Sequence, residues 1–333
     1  MKKRALLGAA VLGLALLLAA NLAAAAEFTL KFANPVAKDH SWGRAAEEFK
    51  KMVAEATKNR VEVQVHHSGA LGKIRETLEM AKAGTVDLVL CGSGHLTAYV
   101  PELGIPVLPY LWKDREIMFQ VLDGRFGDYI GARMEEKGFV SVAWWDNGFR
   151  HVSNNTRPVQ APGDLKGLKL RTLPTKVHVA FFKALGASPT PIDFTELFQA
   201  MQQGVVDGQE NPPAMVYFNK FQEVQKFYSL TAHVNEPGNL VMSKVVYDKL
   251  PKDVRLAVMM AAEKATIWQR EATEKDNNEF LKKLKEVGMK VNEVPKETIA
   301  EFRKTAQTVY AEALKDLGPG AKEMVDLLIW SNK

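Results

Sequence analysis

Apolar and polar residues follow one another along the chain in the order expected of alternating strands and helices. Residues 28–32 and 61–65 alternate apolar and polar side chains, which predicts two strands. Between them, residues 41–57 carry apolar side chains at helical spacing, and residues 74–82 predict a second helix. The mostly apolar run 86–90 is typical of a buried strand. This strand–helix–strand–helix–strand order predicts an α/β fold with a sheet of parallel type.

The same mixture of elements continues towards the end of the chain. Further strands are predicted at 139–145, 168–171 and 205–207, and further helices at 177–185, 195–203 and 297–317. Residues 252–287 contain few helix breakers, which predicts one or two long helices. Because no low-complexity linker divides the chain, two α/β domains between which the chain crosses fit better than two consecutive domains.

The first 26 residues have the three parts of a secretory signal peptide. Positive charge at residues 2–4 precedes an apolar run that ends in the small residues Ala24 and Ala26. We therefore expect residues 1–26 to be removed by cleavage near Ala26, so that the mature protein begins at Glu27 in the periplasm. An uncleaved membrane anchor is the alternative, because the apolar run is about long enough to span a bilayer.

Composition and charge exclude several classes of protein. The chain has 333 residues, with 44 Lys and Arg against 39 Asp and Glu. Three of the cations lie in the predicted signal peptide, which leaves 41 against 39 and a charge of about +2 on the mature chain. This small charge, without a basic run, argues against a nucleic-acid partner. The single cysteine, Cys91, excludes an internal disulfide and a thiolate-rich zinc site, and the apolar run before it predicts a buried, inert thiol.

Motifs for catalysis and cofactor binding are missing from the sequence. It has no Walker-type phosphate loop, no GxGxxG and no HExxH, and its seven histidines are not at metal-ligand spacing. Ser93 lies two residues before His95, but Cys91 stands where a nucleophile elbow requires glycine. We therefore expect no cofactor, no metal and no enzyme activity. An exported hydrolase that uses Ser93 and His95 is the rival class.

Two polar stretches carry candidate binding residues. Arg150 follows a predicted strand and a glycine turn, a position from which its side chain could enter a cleft. In residues 164–171, Lys169 and Arg171 alternate with two leucines, so this predicted strand has one apolar face and one cationic face. On a lone strand the default interpretation is that both cations are simply solvated.

A third polar stretch, residues 203–212, places Glu210 and Asn211 beside glycines and Pro212. Spacing alone leaves two interpretations open. The stretch is either a hydrogen-bonding loop or the entry to a helix. In the second case Asn211 or Glu210 caps free backbone N–H groups and Pro212 occupies the first turn.

These stretches together resemble a known family. The segments that carry the resemblance are NGFRHVSN (147–154), DLKGLKLR (164–171), LGASPTPIDFTELFQAMQQGVVDGQENP (185–212), KFQEVQKF (220–227) and HSWGRAAEEFKKMVAEATKNRVEVQV (40–65). They are similar to the extracytoplasmic solute-binding subunits of TRAP transporters, the DctP-like family, over essentially the whole mature chain. The most specific part is DGQENP following LGASPTP.

The resemblance implies an α/β, two-domain periplasmic binding protein fold with a cleft between the domains and a long helix that spans both. The implied division assigns residues 27–148 plus about 237–276 to domain I, and residues 149–236 plus about 277–333 to domain II. The resemblance further implies a monomer that delivers a small organic acid to the small and large membrane subunits of a sodium-coupled TRAP permease. Service to a sensor or an ABC importer is the alternative.

The resemblance also carries ligand-binding positions over to this chain. Arg171 matches an arginine that holds the ligand carboxylate with two prongs, and a planar guanidinium suits this role because its paired N–H groups match two carboxylate oxygens. The other implied positions are the second cation Arg150, Asn211 with Glu210 beside it, the aromatic Phe194, and the loop residues Asn34 and Ser93.

The remaining expectations concern the surroundings of the ligand and its identity. His178 either faces the cleft or caps and packs its helix, and Trp145 adds aromatic area near the site unless it is ordinary core. Pro174 stands where sialic-acid binders of the family carry Asn, which disfavours that ligand. Two arginines could serve two carboxylates, which slightly favours a C4-dicarboxylate. Sugar acids, hydroxy or keto acids and aromatic acids stay open.

Overall fold

The computed structural model describes residues 26–317 and 321–331. The predicted signal peptide, apart from its last residue, lies outside the described residues. Within these two ranges, no helix combines the length and the apolar character that a bilayer span requires.

The first sheet has five strands, which are β1 Phe28–Ala33, β2 Val61–His66, β3 Leu88–Gly92, β4 Phe139–Trp145 and β10 Gly238–Ser243. Their order across the sheet is β2-β1-β3-β10-β4. β1 pairs in parallel with β2 and β3, whereas β10 runs antiparallel between β3 and β4. Every residue of β3 and β10 is buried, as expected of central strands.

The second sheet has six strands, which are β5 Phe149–Asn154, β6 Lys169–Thr172, β7 Ser188–Pro191, β8 Gly208–Asn211, β9 Phe227–Asn235 and β11 Lys290–Glu293. Their order is β11-β9-β5-β8-β6-β7. β6 pairs in parallel with β7 and β8, and β5 runs antiparallel between β8 and β9. Mixed sheets of this kind are common in α/β proteins.

The helices are α1 Ser41–Ala56, α2 Ile74–Lys82, α3 Arg115–Leu122, α4 Arg125–Glu136, α5 Lys176–Ala184, α6 Leu197–Gln202, α7 Pro213–Phe218, α8 Lys244–Lys249, α9 Lys252–Glu286, α10 Lys296–Leu314 and α11 Ala321–Ser331. In α1 the buried residues Trp42, Ala46, Phe49 and Val53 form one stripe, which is the periodicity seen in the sequence. The helix begins after His40, whose side chain accepts a hydrogen bond from the backbone N–H of Trp42 at 3.1 Å.

The chain crosses between the two sheets three times. It passes from β4 to β5, returns from β9 to β10, and crosses again along α9, a single helix of 35 residues. α9 packs on α1 and β4 beside the first sheet and on α7 and β11 beside the second. It also anchors the first crossing, because Gln269 donates a hydrogen bond to the backbone oxygen of Asp146 at 2.7 Å. The expectation of a two-part α/β fold with one long shared helix is confirmed.

Three predicted elements differ from the structure. The strand predicted at 205–207 is wrong, because Val205 is 53% exposed in a turn and the strand begins at Gly208. All four residues of that strand are buried, although none is hydrophobic, so apolar patterning could not find it. The strand predicted at 86–90 lies at Leu88–Gly92, and the helix predicted at 195–203 is a 3₁₀ turn followed by α6.

Candidate ligand-binding site

A cavity lies between the two sheets. It is found where β1, β3, β6 and β8 end and where the chain makes its first two crossings. The carboxyl ends of strands in an open α/β sheet are the usual place for a ligand. The polar residues that line it are His95, Asn147, Arg150, Arg171, Asn211 and Glu236. The larger apolar residues that line it are Val36, Trp42, Ile74, Leu173, Phe194 and Met215.

Arg171 on β6 is fully buried and only partly satisfied. Its Nε donates a hydrogen bond to the backbone oxygen of Ile192 at 2.9 Å. Its Nη1 and Nη2 are buried and find no hydrogen-bond partner in the part of the chain that the structure describes. Burial, and next the positive charge of Arg150, lower the pKa of Arg171 from 12.5 to about 10. The site therefore presents a positive guanidinium whose Nη1 and Nη2 are not hydrogen-bonded to any described residue, although Glu210, Glu236 and Asp193 partly offset its charge from a distance.

Arg150 on β5 is also fully buried, but it is already paired with two carboxylates. Its Nε donates to Glu210 at 2.5 Å, and its Nη1 donates to Glu236 at 2.8 Å. Nη2 donates to the second carboxylate oxygen of Glu210 at 2.8 Å. Burial alone would lower the pKa of Arg150, but the two carboxylates outweigh it and raise that pKa. The idea that two arginines serve two ligand carboxylates does not fit this arrangement, because Arg150 is neutralised from within the protein.

Glu210 and Glu236 are held differently, although both face Arg150. Burial disfavours the charge of Glu210, but Arg150 and His233 together keep the pKa of Glu210 well below its usual range. His233, which is not one of the residues that line the cavity, lies 3.1 Å from a carboxylate oxygen of Glu210. Burial raises the pKa of Glu236, although Arg150 opposes this change. Of the two carboxylates, Glu236 is the one that lines the cavity.

Phe194 and Asn211, both expected at the site, line the cavity. Phe194 is half-buried and packs edge-on against Phe221, with ring centroids 6.0 Å apart. Asn211 ends β8, and its Nδ2 donates to Gln209 at 2.5 Å. Their contact with a ligand stays a prediction.

Asn34 and Ser93 follow the expected strands but are not among the residues that line the cavity. The side chain of each forms a hydrogen bond with a backbone group. Asn34 accepts a hydrogen bond from the backbone N–H of Val36 at 3.2 Å and so orders the loop that carries this lining residue. Ser93 donates its hydroxyl hydrogen bond to the backbone oxygen of Pro237 at 2.8 Å. In the described residues no hydrogen bond joins Ser93 to His95, whose Nδ1 lies 3.3 Å from the backbone oxygen of Gly92.

His178 and Trp145 do not line the cavity either. His178 is buried at the start of α5, with Nε2 2.9 Å from the backbone oxygen of Val107, which is the packing role. Burial lowers the pKa of His178 to about 4, so it is neutral. Trp145 is core, and its Nε1 donates to Thr266 on α9 at 3.2 Å.

The structure decides the two alternatives that spacing left open. On β6, Lys169 is exposed but Arg171 is buried, so solvation of both cations is wrong for Arg171. At the entry to α7, neither Glu210 nor Asn211 caps the helix. Asn277 of α9 does so, because its Oδ1 accepts a hydrogen bond from the backbone N–H of Ala214 at 3.1 Å. The stretch 203–212 is therefore no helix cap, and its polar residues pair in the interior.

Sequence reasoning missed several lining residues, above all Glu236 and Asn147. Glu236 lies in the second crossing, directly before Pro237-Gly238, and a lone acid beside a Pro-Gly turn was the available signal. The single cysteine is buried as expected, and burial raises the pKa of its thiol further above the usual range. In the described residues, no group of three or more metal-ligating side chains comes together.

Two α/β halves joined by three crossings, which enclose a cavity with an uncompensated guanidinium, define a bacterial solute-binding protein. The family model "Bacterial extracellular solute-binding protein, family 7" matches residues 32–316, and the chain belongs to this family. Relatives of the chain include proteins that are named as solute-binding or dicarboxylate-binding proteins.

Named relatives agree with this assignment. The chain is 34% identical to the C4-dicarboxylate-binding periplasmic protein DctP of Rhodobacter capsulatus, with 96% of each chain covered. It superposes on a TRAP periplasmic solute-binding protein of Sulfurospirillum deleyianum with bound succinate at a TM-score of 0.87 and 33% identity, covering 91% and 99% of the two chains. It superposes on another from a Polaromonas species, bound to D-erythronate, at 0.86 and 39% identity, covering 91% and 98%.

Proposed function

We propose that this chain is the extracytoplasmic solute-binding subunit of a TRAP transporter. It captures a small organic acid by its carboxylate and delivers it to a sodium-coupled permease made of a small and a large membrane subunit. The observation that carries the proposal is the guanidinium of Arg171, whose Nη1 and Nη2 are buried and lack a partner among the described residues. A carboxylate supplies two acceptor oxygens in matching geometry, together with the missing negative charge.

Binding couples to closure of the two halves. With the halves apart, water hydrates Arg171, and with them together a carboxylate replaces that water. The acid thus has a higher affinity for the closed state and shifts the population towards it. The fixed points of this motion are the two short crossings, and α9 steadies the first of them through the hydrogen bond from Gln269 to Asp146.

Sheet membership supports the domain division expected from sequence. The strands of the first sheet all fall in residues 27–148 plus about 237–276, and those of the second sheet fall in 149–236 plus about 277–333. The signal peptide of residues 1–26 would export the protein to the periplasm, where the relative from Rhodobacter capsulatus is named as resident. Monomeric action, delivery to the permease and reuse by a sensor or an ABC importer are separate matters for experiment.

A thermal-shift screen tests the binding step. Mature protein from Glu27 is heated with organic acids and with neutral sugars and polyols. A ligand that binds only the native state, present at about 100 times its Kd, adds about 2.7 kcal/mol of stability. We expect stabilisation by acids alone in the wild type and in Lys169→Ala, and no stabilisation in Arg171→Met. Lys169 is the matched control because it is the other cation of β6, and it is exposed. Stabilisation by neutral sugars, or an Arg171→Met variant that responds like the wild type, would refute carboxylate capture.

Delivery is tested separately in proteoliposomes that contain the small and large TRAP membrane subunits. We expect uptake of the stabilising acid to require both this protein and an inward sodium gradient. Uptake that is equal without the gradient would contradict the sodium-coupled partnership while leaving the binding step intact.

A further inference from the structure

The polar groups around the cavity differ in kind, and this difference restricts the ligand. Arg171 is the donor side, with two N–H groups that need an acceptor. Three other lining residues, Glu236, Asn147 and His95, present acceptor atoms, and two of these atoms, Asn147 Oδ1 and His95 Nε2, have no partner in the described residues. A ligand that complements this set has one carboxylate and several O–H groups.

Glu236 is a fixed acceptor at the cavity wall. One carboxylate oxygen accepts a hydrogen bond from the backbone N–H of Gly94 at 3.2 Å, and the other accepts from Arg150 at 2.8 Å. Gly92 permits this placement, because a Cβ there would lie 2.4 Å from the first oxygen. Both oxygens already accept one hydrogen bond each, and a carboxylate oxygen has a second lone pair. Glu236 can therefore accept a further hydrogen bond from a donor group on the ligand.

His95 is a second acceptor. Its Nδ1 lies 3.3 Å from the backbone oxygen of Gly92, and since a carbonyl can only accept, Nδ1 carries the proton. Burial lowers the pKa of His95 to about 4, so the ring is neutral and Nε2 has a bare lone pair. Nε2 is buried and has no partner in residues 26–317 and 321–331.

Asn147 is a third acceptor, in the first crossing. Its backbone oxygen is taken by Asn277 of α9 at 3.1 Å, which fixes the residue in place. Its side-chain Oδ1 is buried and unpartnered within the described chain. Buried polar atoms without a partner are costly, so a ligand that donates to them gains affinity and one that cannot loses it.

The charges of the site also favour a ligand with a single carboxylate. Arg150 is paired directly with Glu210 and Glu236, whereas Nη1 and Nη2 of Arg171 have no partner in the described residues. A ligand carboxylate at Arg171 can accept hydrogen bonds from Nη1 and Nη2, which have no partner in the described residues. A second carboxylate would meet no unengaged lining cation among the described residues and would face the carboxylate of Glu236, and like charges in a desolvated site repel strongly.

We propose that the ligand is a small hydroxylated monocarboxylate, with its carboxylate on Arg171 and its hydroxyl groups donating to Glu236, His95 and Asn147. This inference rests on the proposed function and narrows the ligand class of the same site.

Two length-matched ligand sets test the inference by calorimetric titration of the mature wild-type protein. The four-carbon set is erythronate, threonate, succinate, butanoate and erythritol, and the six-carbon set is gluconate, galactonate, adipate, hexanoate and sorbitol. We expect a hydroxylated monocarboxylate to bind at least tenfold more tightly than the dicarboxylate, the fatty acid and the polyol of equal length. Glu236→Gln removes the charge and adds a donor, so the preference for hydroxy acid over dicarboxylate should fall at least fivefold. Glu279→Gln, on the exposed face of α9, should leave the preference unchanged.

Each outcome bears on one proposal or the other. A dicarboxylate that binds as tightly as every hydroxy acid of its length overturns the inference, whereas Arg171-dependent binding of that dicarboxylate still upholds acid capture. Failure of all hydroxy acids in both sets also overturns the inference. Tight binding of a polyol, independent of Arg171, overturns the proposed function itself. An unchanged preference in Glu236→Gln removes Glu236 from the argument even if hydroxy acids bind best.

Discussion

Arg171→Met separates the cost of a buried cation from the benefit that a ligand gives. Methionine has a comparable length and no charge, so it can fill the space of the guanidinium. The pKa of Arg171 is lowered from 12.5 to about 10, chiefly by burial. A difference of this size corresponds to about 3 kcal/mol against the charged form. The loss of the hydrogen bond from Nε to Ile192 would cost the variant about 1 kcal/mol.

Two opposite effects are expected. In the absence of ligand, Arg171→Met should be more stable than the wild type by about 2 kcal/mol. Removal of the buried charge should gain about 3 kcal/mol, whereas loss of the hydrogen bond should cost about 1 kcal/mol. Its affinity for the acid should fall by about 2–5 kcal/mol, which is about 30-fold to a few thousand-fold in Kd. Arg171→Lys keeps the charge without the fork, so its affinity should lie between those of the wild type and Arg171→Met.

Urea unfolding of the ligand-free proteins and calorimetric titration with the best acid measure the two effects. Lys169→Ala is the control, and we expect it to change either quantity by less than about 0.5 kcal/mol because Lys169 is exposed. Affinity of Arg171→Met within threefold of the wild type would refute the carboxylate clamp. A ligand-free Arg171→Met clearly less stable than the wild type would refute the view that the guanidinium is an uncompensated charge. Equal affinity of Arg171→Lys would show that a point charge suffices.

Three further predictions concern the framework of the site. Glu210→Gln leaves the buried Arg150 short of a charge partner, and chemical denaturation should show a loss of about 3–5 kcal/mol. Gly148→Ala should destabilise more than Gly167→Ala by at least about 1 kcal/mol. Both glycines have positive φ. Only at Gly148 would an added Cβ clash, because it would lie 2.1 Å from the side-chain Nδ2 of Asn277 on α9. Burial raises the pKa of Asp146 from 3.8 to about 6. The neutral carboxyl group therefore stabilises the folded state by about 3 kcal/mol below about pH 4. This stabilisation is lost as the pH rises through 6.

Controls and contrary outcomes are defined for each. Glu279→Gln breaks an exposed pair with Lys283 on α9 and should cost less than about 0.5 kcal/mol. A Glu210→Gln loss no larger than this would contradict the buried-pair argument. Equal destabilisation of the two glycine variants would mean that backbone strain alone matters at both. For Asp146, the stability difference between the wild type and Asp146→Asn should decline from pH 4 to pH 6, and a flat difference would contradict the raised pKa.

Local patterns in the sequence found about half of the described helices and strands, namely those in which packing and periodicity agree. Residues 74–82 and 139–145 were predicted with the bounds that the structure has, and 252–287 proved to be one helix. In each case a face of apolar residues, or an unbroken run of helix formers, is enough to define the element. Arg171 was also within reach, because the motif around it resembles a family in which this position binds carboxylates.

The partners of the charged residues could not be found in this way. Arg150 pairs with Glu210, which is 60 positions away in sequence, and with Glu236, which is 86 positions away. Nothing local to Arg150 indicates that it is neutralised, and the resemblance alone suggested a second ligand-binding cation. His178 likewise meets the backbone oxygen of Val107, 71 positions earlier, so its packing role emerged only from the fold.

The sequence by itself determined the α/β class, the order of the first five elements, the long helix, the family and the arginine that we propose binds a carboxylate. These follow from periodicity, from turn residues and from a motif, all of which are written over short stretches of chain. The tertiary structure decided which arginine has no carboxylate partner, which glutamate lines the cavity and which buried polar atoms of the described residues lack partners. Those properties depend on charges and hydrogen-bonding groups that only the crossings between the two sheets bring together, in an interior where water no longer compensates them.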